Sequence, residues 1–404
     1  MARKVAMLLN APYPADIRVK KETDALINAG FEIFLICLRK KNQAPREVVE
    51  GINVIRIDAG KNNYVLAFWD VVMSITFIHP RFKKALNKLL LEEKISIVHV
   101  HDLPLAGTAL ALRRQFSIKV IVDLHENYPE ALRTWFKWKK NLIVRLKNKL
   151  FLNPDRWFKY ETKACLEADH VIAVVDEMKS RLAKSSGVDL EKITVITNTE
   201  DKNFIEQKLN KDVYENIPNG FIITYSGGIG PHRGVDTAIK GMAHLRDKPI
   251  YLVIVGFGSP SVMTSLKELA TQLQLQNVYI KGYQPFEKFY SYMHLADVNV
   301  IPHQSNGHTD NTVPHKLFQG MMAGRPLLVS TCAPLKRIIE EYKSGLVFKA
   351  DDATDFAAKV ETLYSDKQLR EKLGANGTTA TINGKLNWET TQLDLINLYN
   401  ANAG

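Results

Sequence analysis
Two short segments carry residues whose types and spacing suit phosphate chemistry. Phe221 to Asp236 reads FIITYSGGIGPHRGVD. A β-rich run leads into Gly227, Gly228 and Gly230, followed by Arg233 and Gly234, and a helical pattern starts near Asp236. Glycines let a backbone approach a ligand closely, and a guanidinium offers a bidentate fork for phosphate oxygens. The loop lacks the GK[ST] ending of a Walker P-loop and is not a G-x-G-x-x-G fingerprint. Asn311 to Pro326 reads NTVPHKLFQGMMAGRP. Pro314 opens a helical pattern that Gly324 and Pro326 close. Proline fits a first helical turn, where its missing N–H is no loss. The N–H groups that follow lie at the positive end of a helix dipole and suit an anion. Lys316 adds a charge two residues further in. The plainer reading of this segment alone is an ordinary capped helix packed on a sheet.

Other polar residues stand at the ends of strand-like runs. Asp123, His125 and Glu126 follow Val120–Val122, so His125 is placed to hydrogen-bond a hydroxyl or stabilise a developing charge. His99 and His101 share one face of a strand beside Asp102, but local spacing supplies no further ligand, so no metal is expected. Asp16 and Arg18 occupy the first loop, where they either contact a substrate or act as a helix cap and a surface pair. Gly256 and Gly258 end another strand and would let a nucleotide approach. Tyr283 and Gln284, after the next strand, are candidates for contacts near a base.

The elements that must position these groups are legible as alternation. Apolar runs at Val5–Leu9, Glu32–Leu38, Ile97–Val100, Val120–Leu124, Ile222–Tyr225, Tyr251–Val255, Val298–Ile301 and Leu327–Val329 alternate with helical patterns. Buried parallel strands with crossover helices explain that order, and ligands then sit at the carboxyl ends of the strands. At 404 residues, the α/β chain suits two Rossmann-like doubly wound domains. We expect one domain at 1–200, a second at 218–386 and a returning helix at 387–404.

Taken together, in this order, the two segments resemble the nucleotide-sugar half of a family 4 glycosyltransferase. The resemblance runs along most of the chain. It includes LLNAPYPADIRVKKETDALINAGFEI (8–33), IVHVHDLPLAG (97–107), VIVDLHENYPE (120–130), LVIVGFGSP (252–260) and WETTQLDLINLY (388–399). It implies a GT-B fold and a retaining transfer without metal or other cofactor. The donor would be a nucleotide diphosphate sugar, a UDP-sugar in preference to a GDP-sugar. By resemblance, His125, Arg233, Lys316 and Asp16 are the catalytic candidates. Gly227, Gly228, Arg233, Gly256, Gly258, Tyr283, Asn311, Thr312, Val313, Lys316 and Gln319 would line the donor. The family usually carries two glutamates, one touching the sugar and one the ribose, where Asn311 and Gln319 stand here. Both amides can hydrogen-bond hydroxyls, but neither supplies negative charge.

Charge and composition narrow the partners. The net charge of +11 calls for an anionic partner. From Arg133 to Tyr160, basic residues including Lys137, Lys139, Lys140, Arg145 and Arg156 interleave with Trp135, Phe136, Trp138, Phe151, Trp157 and Phe158. Leu142, Ile143, Leu146 and Leu150 recur at helical spacing, as in a helix lying in a membrane interface. A solvated basic face over a packed helix is the plainer alternative. No nucleic-acid-binding module is recognisable, so nucleic acid is not an expected partner. Cys37, Cys165 and Cys332 show neither disulfide nor metal spacing, which suits a reducing cytoplasm. The expectation is a cytoplasmic enzyme, peripheral at the inner face of the cell membrane, acting on a lipid-linked or glycan acceptor. Two rivals stay open: a catalytically silent GT-B subunit and a nucleotide-sugar epimerase. Oligomeric state is not legible.

Overall fold
The computed structural model describes residues 3–14, 16–58, 63–137 and 151–402. The chain divides into two compact units, 1–197 with 392–404, and 198–391. Each is built on a sheet whose interior strands are buried and mostly apolar, as a doubly wound fold requires.

In the first unit the strands are β1 (Arg3–Pro12), β2 (Phe31–Leu38), β3 (Arg46–Val49), β4 (Ile52–Ile57), β5 (Ile95–His101), β6 (Lys119–Leu124), β7 (His170–Ala173) and β8 (Ile193–Val195). Their order is β3-β4-β2-β1-β5-β6-β7-β8, parallel throughout except for the β3–β4 pair. The order reverses at β1, between β2 and β5, which is where such sheets leave a crevice. Register places His99 beside Met7, and His101 between Leu9 and Asp123. Three polar residues therefore stand side by side near the carboxyl edge.

In the second unit the strands are β9 (Phe221–Ser226), β10 (Ile250–Val255), β11 (Val278–Gly282), β12 (Val298–Ile301), β13 (Leu327–Ser330) and β14 (Gly345–Phe348). The order β11-β10-β9-β12-β13-β14 is wholly parallel and reverses at β9. The loop after β9 and the segment after β12 thus flank a switch point. Ile223, Tyr225, Ile239, Leu252, Ile254, Val298 and Phe356 form the core beneath.

The polar stretch after residue 198 belongs to the second unit. It forms 3-10 turns at Lys202–Glu206 and Lys211–Tyr214, because Phe204, Val213 and Ile217 are buried. The final helix, Trp388–Asn402, starts in the second unit and ends in the first. In the first unit Tyr399 packs edge-on against Phe31 and its hydroxyl lies 2.6 Å from His99 Nδ1, while Arg3 donates to Asn400.

Candidate active site
In the second unit, β9 ends at Ser226 and the chain turns through Gly227, whose φ of 129° is one that glycine adopts freely. A side chain at Gly227 would meet Lys316 Nζ at 2.8 Å. The lysine therefore lies against this turn, its ammonium 3.8 Å from the centre of the Tyr225 ring. That geometry is a cation–π contact. Lys316 is buried, and its Nζ has no hydrogen-bond partner. Burial, reinforced by the charge of Arg233, holds its pKa well below the ordinary lysine value.

Arg233 ends a 3-10 turn, and its Nη1 donates to His303 Nε2 over 3.2 Å. Burial, with Arg233 beside it, keeps His303 neutral, and the same two causes lower His232 to about 3. The glycine-rich turn thus has the Lys316 amine at Gly227 and the Arg233 side chain at Gly230, with neutral imidazoles beside Arg233. A carboxylate or phosphate would relieve the repulsion between Lys316 and Arg233.

The remaining expected donor residues have distinct places. Nothing lies within 4 Å of a side chain built at Gly228, and its carbonyl accepts from the Tyr225 hydroxyl. Gly256 and Gly258 have a packing reason of their own. A side chain at Gly256 would strike the Gly227 carbonyl at 1.8 Å, and one at Gly258 the Ile229 carbonyl at 2.4 Å. Both glycines exist so that the loops after β9 and β10 can touch. Thr312 is extended, Val313 is buried, and Pro314 caps the helix His315–Met322 instead of opening its first turn. Tyr283 is exposed and meets the equally exposed Phe257 edge to face at 5.9 Å. This aromatic pair beyond β10 and β11 includes Phe257, which sequence reading passed over.

The two amides are buried and differently engaged. Asn311 Nδ2 donates to the Gly307 carbonyl at 2.8 Å. Gln319 Nε2 donates to Glu200 Oε2 at 2.6 Å. A buried carboxylate therefore stands beside Gln319, brought by a segment more than a hundred residues earlier. The neighbouring Asp310 is occupied, accepting from Ser305 Oγ and the Ala333 amide.

In the first unit, Asp16 caps the helix Ile17–Asn28, accepting from the Val19 amide at 3.2 Å. Arg18 is buried, and its guanidinium binds Asp123 through both oxygens, Glu22 at 2.9 Å and the Ile196 carbonyl. It is a buried cation held by two acids, not the surface pair of the plainer reading. His125 Nε2 lies 2.8 Å from Asp123 Oδ2, and the His125 amide donates to Asp102 Oδ1. Burial works against charge on His125, but Asp102 and Asp123 outweigh it and raise the pKa to about 10. His125 is thus a fixed imidazolium at neutral pH, suited to holding negative charge and not to accepting a proton. Asp102 holds its clamp at φ 65°, a costly conformation for a non-glycine residue.

The basic-aromatic segment divides. Residues 138–150, including Trp138, Lys139, Lys140, Leu142, Ile143, Arg145, Leu146 and Leu150, lie outside the described residues. On its flank Trp157 is fully buried against Phe77 and so is core and not membrane-facing, while the half-buried Arg156 donates to the Ser74 carbonyl. Trp135 stays exposed. Cys37, Cys165 and Cys332 are buried thiols. Among the described residues no helix is long and apolar enough to cross a membrane.

Two doubly wound units, one with a glycine-rich turn and two basic residues at its switch point, define a two-domain α/β protein. The profile of Glycosyltransferase Family 4 matches residues 17–203, and that of Glycosyl transferases group 1 matches residues 206–380. The chain belongs to the family 4 glycosyltransferases and has a GT-B-type pair of domains. It is 22% identical over 326 residues to an uncharacterized glycosyltransferase of Methanocaldococcus jannaschii, covering 80% of each. It is 24% identical over 274 residues to the capsular polysaccharide biosynthesis glycosyltransferase CapM of Staphylococcus aureus, covering 62% of this chain and 68% of that one. Sucrose-phosphate synthase from Thermosynechococcus elongatus shares the fold with a TM-score of 0.79 at 19% identity, over 99% and 98% of the two chains. Anabaena HepE in complex with UDP-glucose does so with a TM-score of 0.74 at 13% identity, over 98% and 99%.

Proposed function
We propose that this glycosyltransferase moves a hexosyl group from a UDP-sugar, with retention and without a metal at the transfer step, to a lipid-linked glycan acceptor. The observation that carries the reading is Lys316, a buried ammonium without a hydrogen-bond partner, converging with Arg233 on the Gly227 turn. Fixed cations there would neutralise a diphosphate leaving group as charge develops on it. Gly228 leaves room for the phosphates, the Glu200–Gln319 pair offers acceptors for ribose hydroxyls, and the exposed Tyr283 and Phe257 offer faces for a base. The UDP-glucose in HepE and the capsular role in CapM's name support a UDP-sugar and a polysaccharide product. The charge of +11, the exposed Trp135 and the basic run around it support work at the anionic inner face of the cell membrane.

The test is a thermal-shift panel of UDP, GDP, ADP, CMP and dTDP with and without Mg²⁺. A ligand at 100 times its Kd stabilises the native state by about 2.7 kcal/mol. A metal-independent shift with UDP supports the reading, and no shift with any nucleotide removes it. A second reading, a catalytically silent subunit, is favoured by Asn311, whose amide turns to the Gly307 carbonyl. UDP binding with neither transfer nor hydrolysis of any UDP-sugar would select it.

A further inference from the structure
His99 and His101 are joined in the first unit by two acids that sequence spacing does not connect to them. Glu22 comes from the helix Ile17–Asn28, and Asp123 from β6. One ligand atom from each of the four residues lies within 4.8 Å of all the others, and all four residues are buried. His99 Nε2 stands 3.7 Å from Glu22 Oε2 and 3.6 Å from Asp123 Oδ2. His101 Nδ1 stands 3.9 and 3.7 Å from the same two oxygens. These separations are too long for hydrogen bonds. They are close to the tetrahedron edge of about 3.4 Å that follows from zinc bonds of about 2.1 Å.

We propose that Glu22, His99, His101 and Asp123 form a structural site for one divalent transition-metal ion of the zinc class. Glu22 is wholly buried with Oε1 ion-paired to Arg18, yet its inward Oε2 has no hydrogen-bond partner, and His99 Nε2 has none either. Burying such groups without a partner is costly, and a cation between them removes the cost. Two imidazoles and two carboxylates are a donor set zinc accepts. The outer surroundings also fit. The Tyr399 hydroxyl fixes His99 through Nδ1 and so leaves Nε2 facing inward. Arg18 grips Glu22 Oε1 and Asp123 Oδ1, the oxygens turned away from the centre. Three contacts compete with the ion: Arg18 Nε at 3.1 Å and His125 Nε2 at 2.8 Å on Asp123 Oδ2, and His125 Nε2 at 3.3 Å from His101 Nδ1. The site is closed and would tie the first helix, β5 and β6 together.

Full-length protein purified without chelator is assayed for bound zinc, then stripped with a chelator and titrated with Co²⁺ alone. The proposal expects about one ion per chain and the visible absorption of tetrahedral cobalt. It expects at least a tenfold loss of Co²⁺ affinity in both His99→Ala and His101→Ala, and a lower Tm for stripped than for zinc-loaded wild type. Wild type that neither retains zinc nor takes up cobalt overturns it, as does equal uptake by wild type and both variants. The comparison of stripped and loaded wild type needs no variant, so a variant that fails to fold leaves the test intact; an unchanged Tm there overturns the proposal. None of these readings involves nucleotide, so the proposed transfer reaction stands or falls separately.

Discussion
Gln319 and Glu200 form a buried amide–carboxylate pair, 2.6 Å apart, at the helix that also carries Lys316. The amide donates and the carboxylate accepts, so the negative charge sits on the partner and not on the helix. Gln319→Glu would set two carboxylates against each other in a buried place. We expect it to destabilise the protein by about 1–3 kcal/mol, and Gln319→Glu with Glu200→Gln to recover most of that loss. Urea unfolding of the two singles and the double closes the cycle. Additive losses would mean the pair is not coupled.

Lys316 links nucleotide binding to protons. Its folded pKa is depressed by burial and by Arg233, so without ligand the ammonium loses its proton more readily than in an unfolded chain. A bound diphosphate favours the charged form, so binding takes up a proton, and UDP affinity should rise as pH falls toward the depressed Lys316 pKa from the alkaline side. Calorimetry in buffers of different ionisation enthalpy measures the uptake. Lys316→Met should abolish it, weaken UDP by at least tenfold, and raise the Tm of the ligand-free protein, since an unpaired buried ammonium is removed.

Arg233→Ala removes a charge-assisted contact and leaves His303 without its donor. UDP binding should weaken by about 1.5–3 kcal/mol. Unchanged affinity in calorimetry takes Arg233 out of the site.

Asp16 separates two roles by a conservative change. As a cap, Asp16→Ala should cost about 1 kcal/mol and Asp16→Asn almost nothing. If transfer activity also survives in Asp16→Asn, the carboxylate has no part in orienting the acceptor.

Neutralising Lys137, Lys139 and Lys140 tests the membrane surface. Binding to vesicles rich in phosphatidylglycerol should fall for the triple Gln variant and with added salt, with phosphatidylcholine as the control. Equal binding by variant and wild type would detach this segment from the membrane.

The fold was readable because its signals are local: apolar runs such as Ile222–Tyr225 and Val120–Leu124 are buried strands wherever they fall. The Gly227 turn, Arg233 and Lys316 were also visible, since a glycine-rich turn and two cations carry their chemistry in their types. What stayed hidden depends on distance along the chain. Glu200 meets Gln319 from 119 residues away, and Arg18 meets Asp123 from 105, with no pattern to announce either. The packing of Gly256 against the Gly227 backbone was also hidden, because a glycine that admits a ligand and one that admits another backbone look alike in sequence. Trp157 was misread because a tryptophan beside lysines looks the same whether its ring faces lipid or core.

The last helix also sets an order of events. Leu395, Leu398 and Tyr399 on this helix complete the interior of a unit whose described strands lie within the first 195 residues, and the contact from Tyr399 to His99 spans 300 positions. A ribosome has therefore made the entire second unit before the first can close. Until then Phe31 and His99 lack their cover, and the amino-terminal half waits as an unfinished intermediate. A stop codon a dozen residues early would harm the beginning of this protein, not its end.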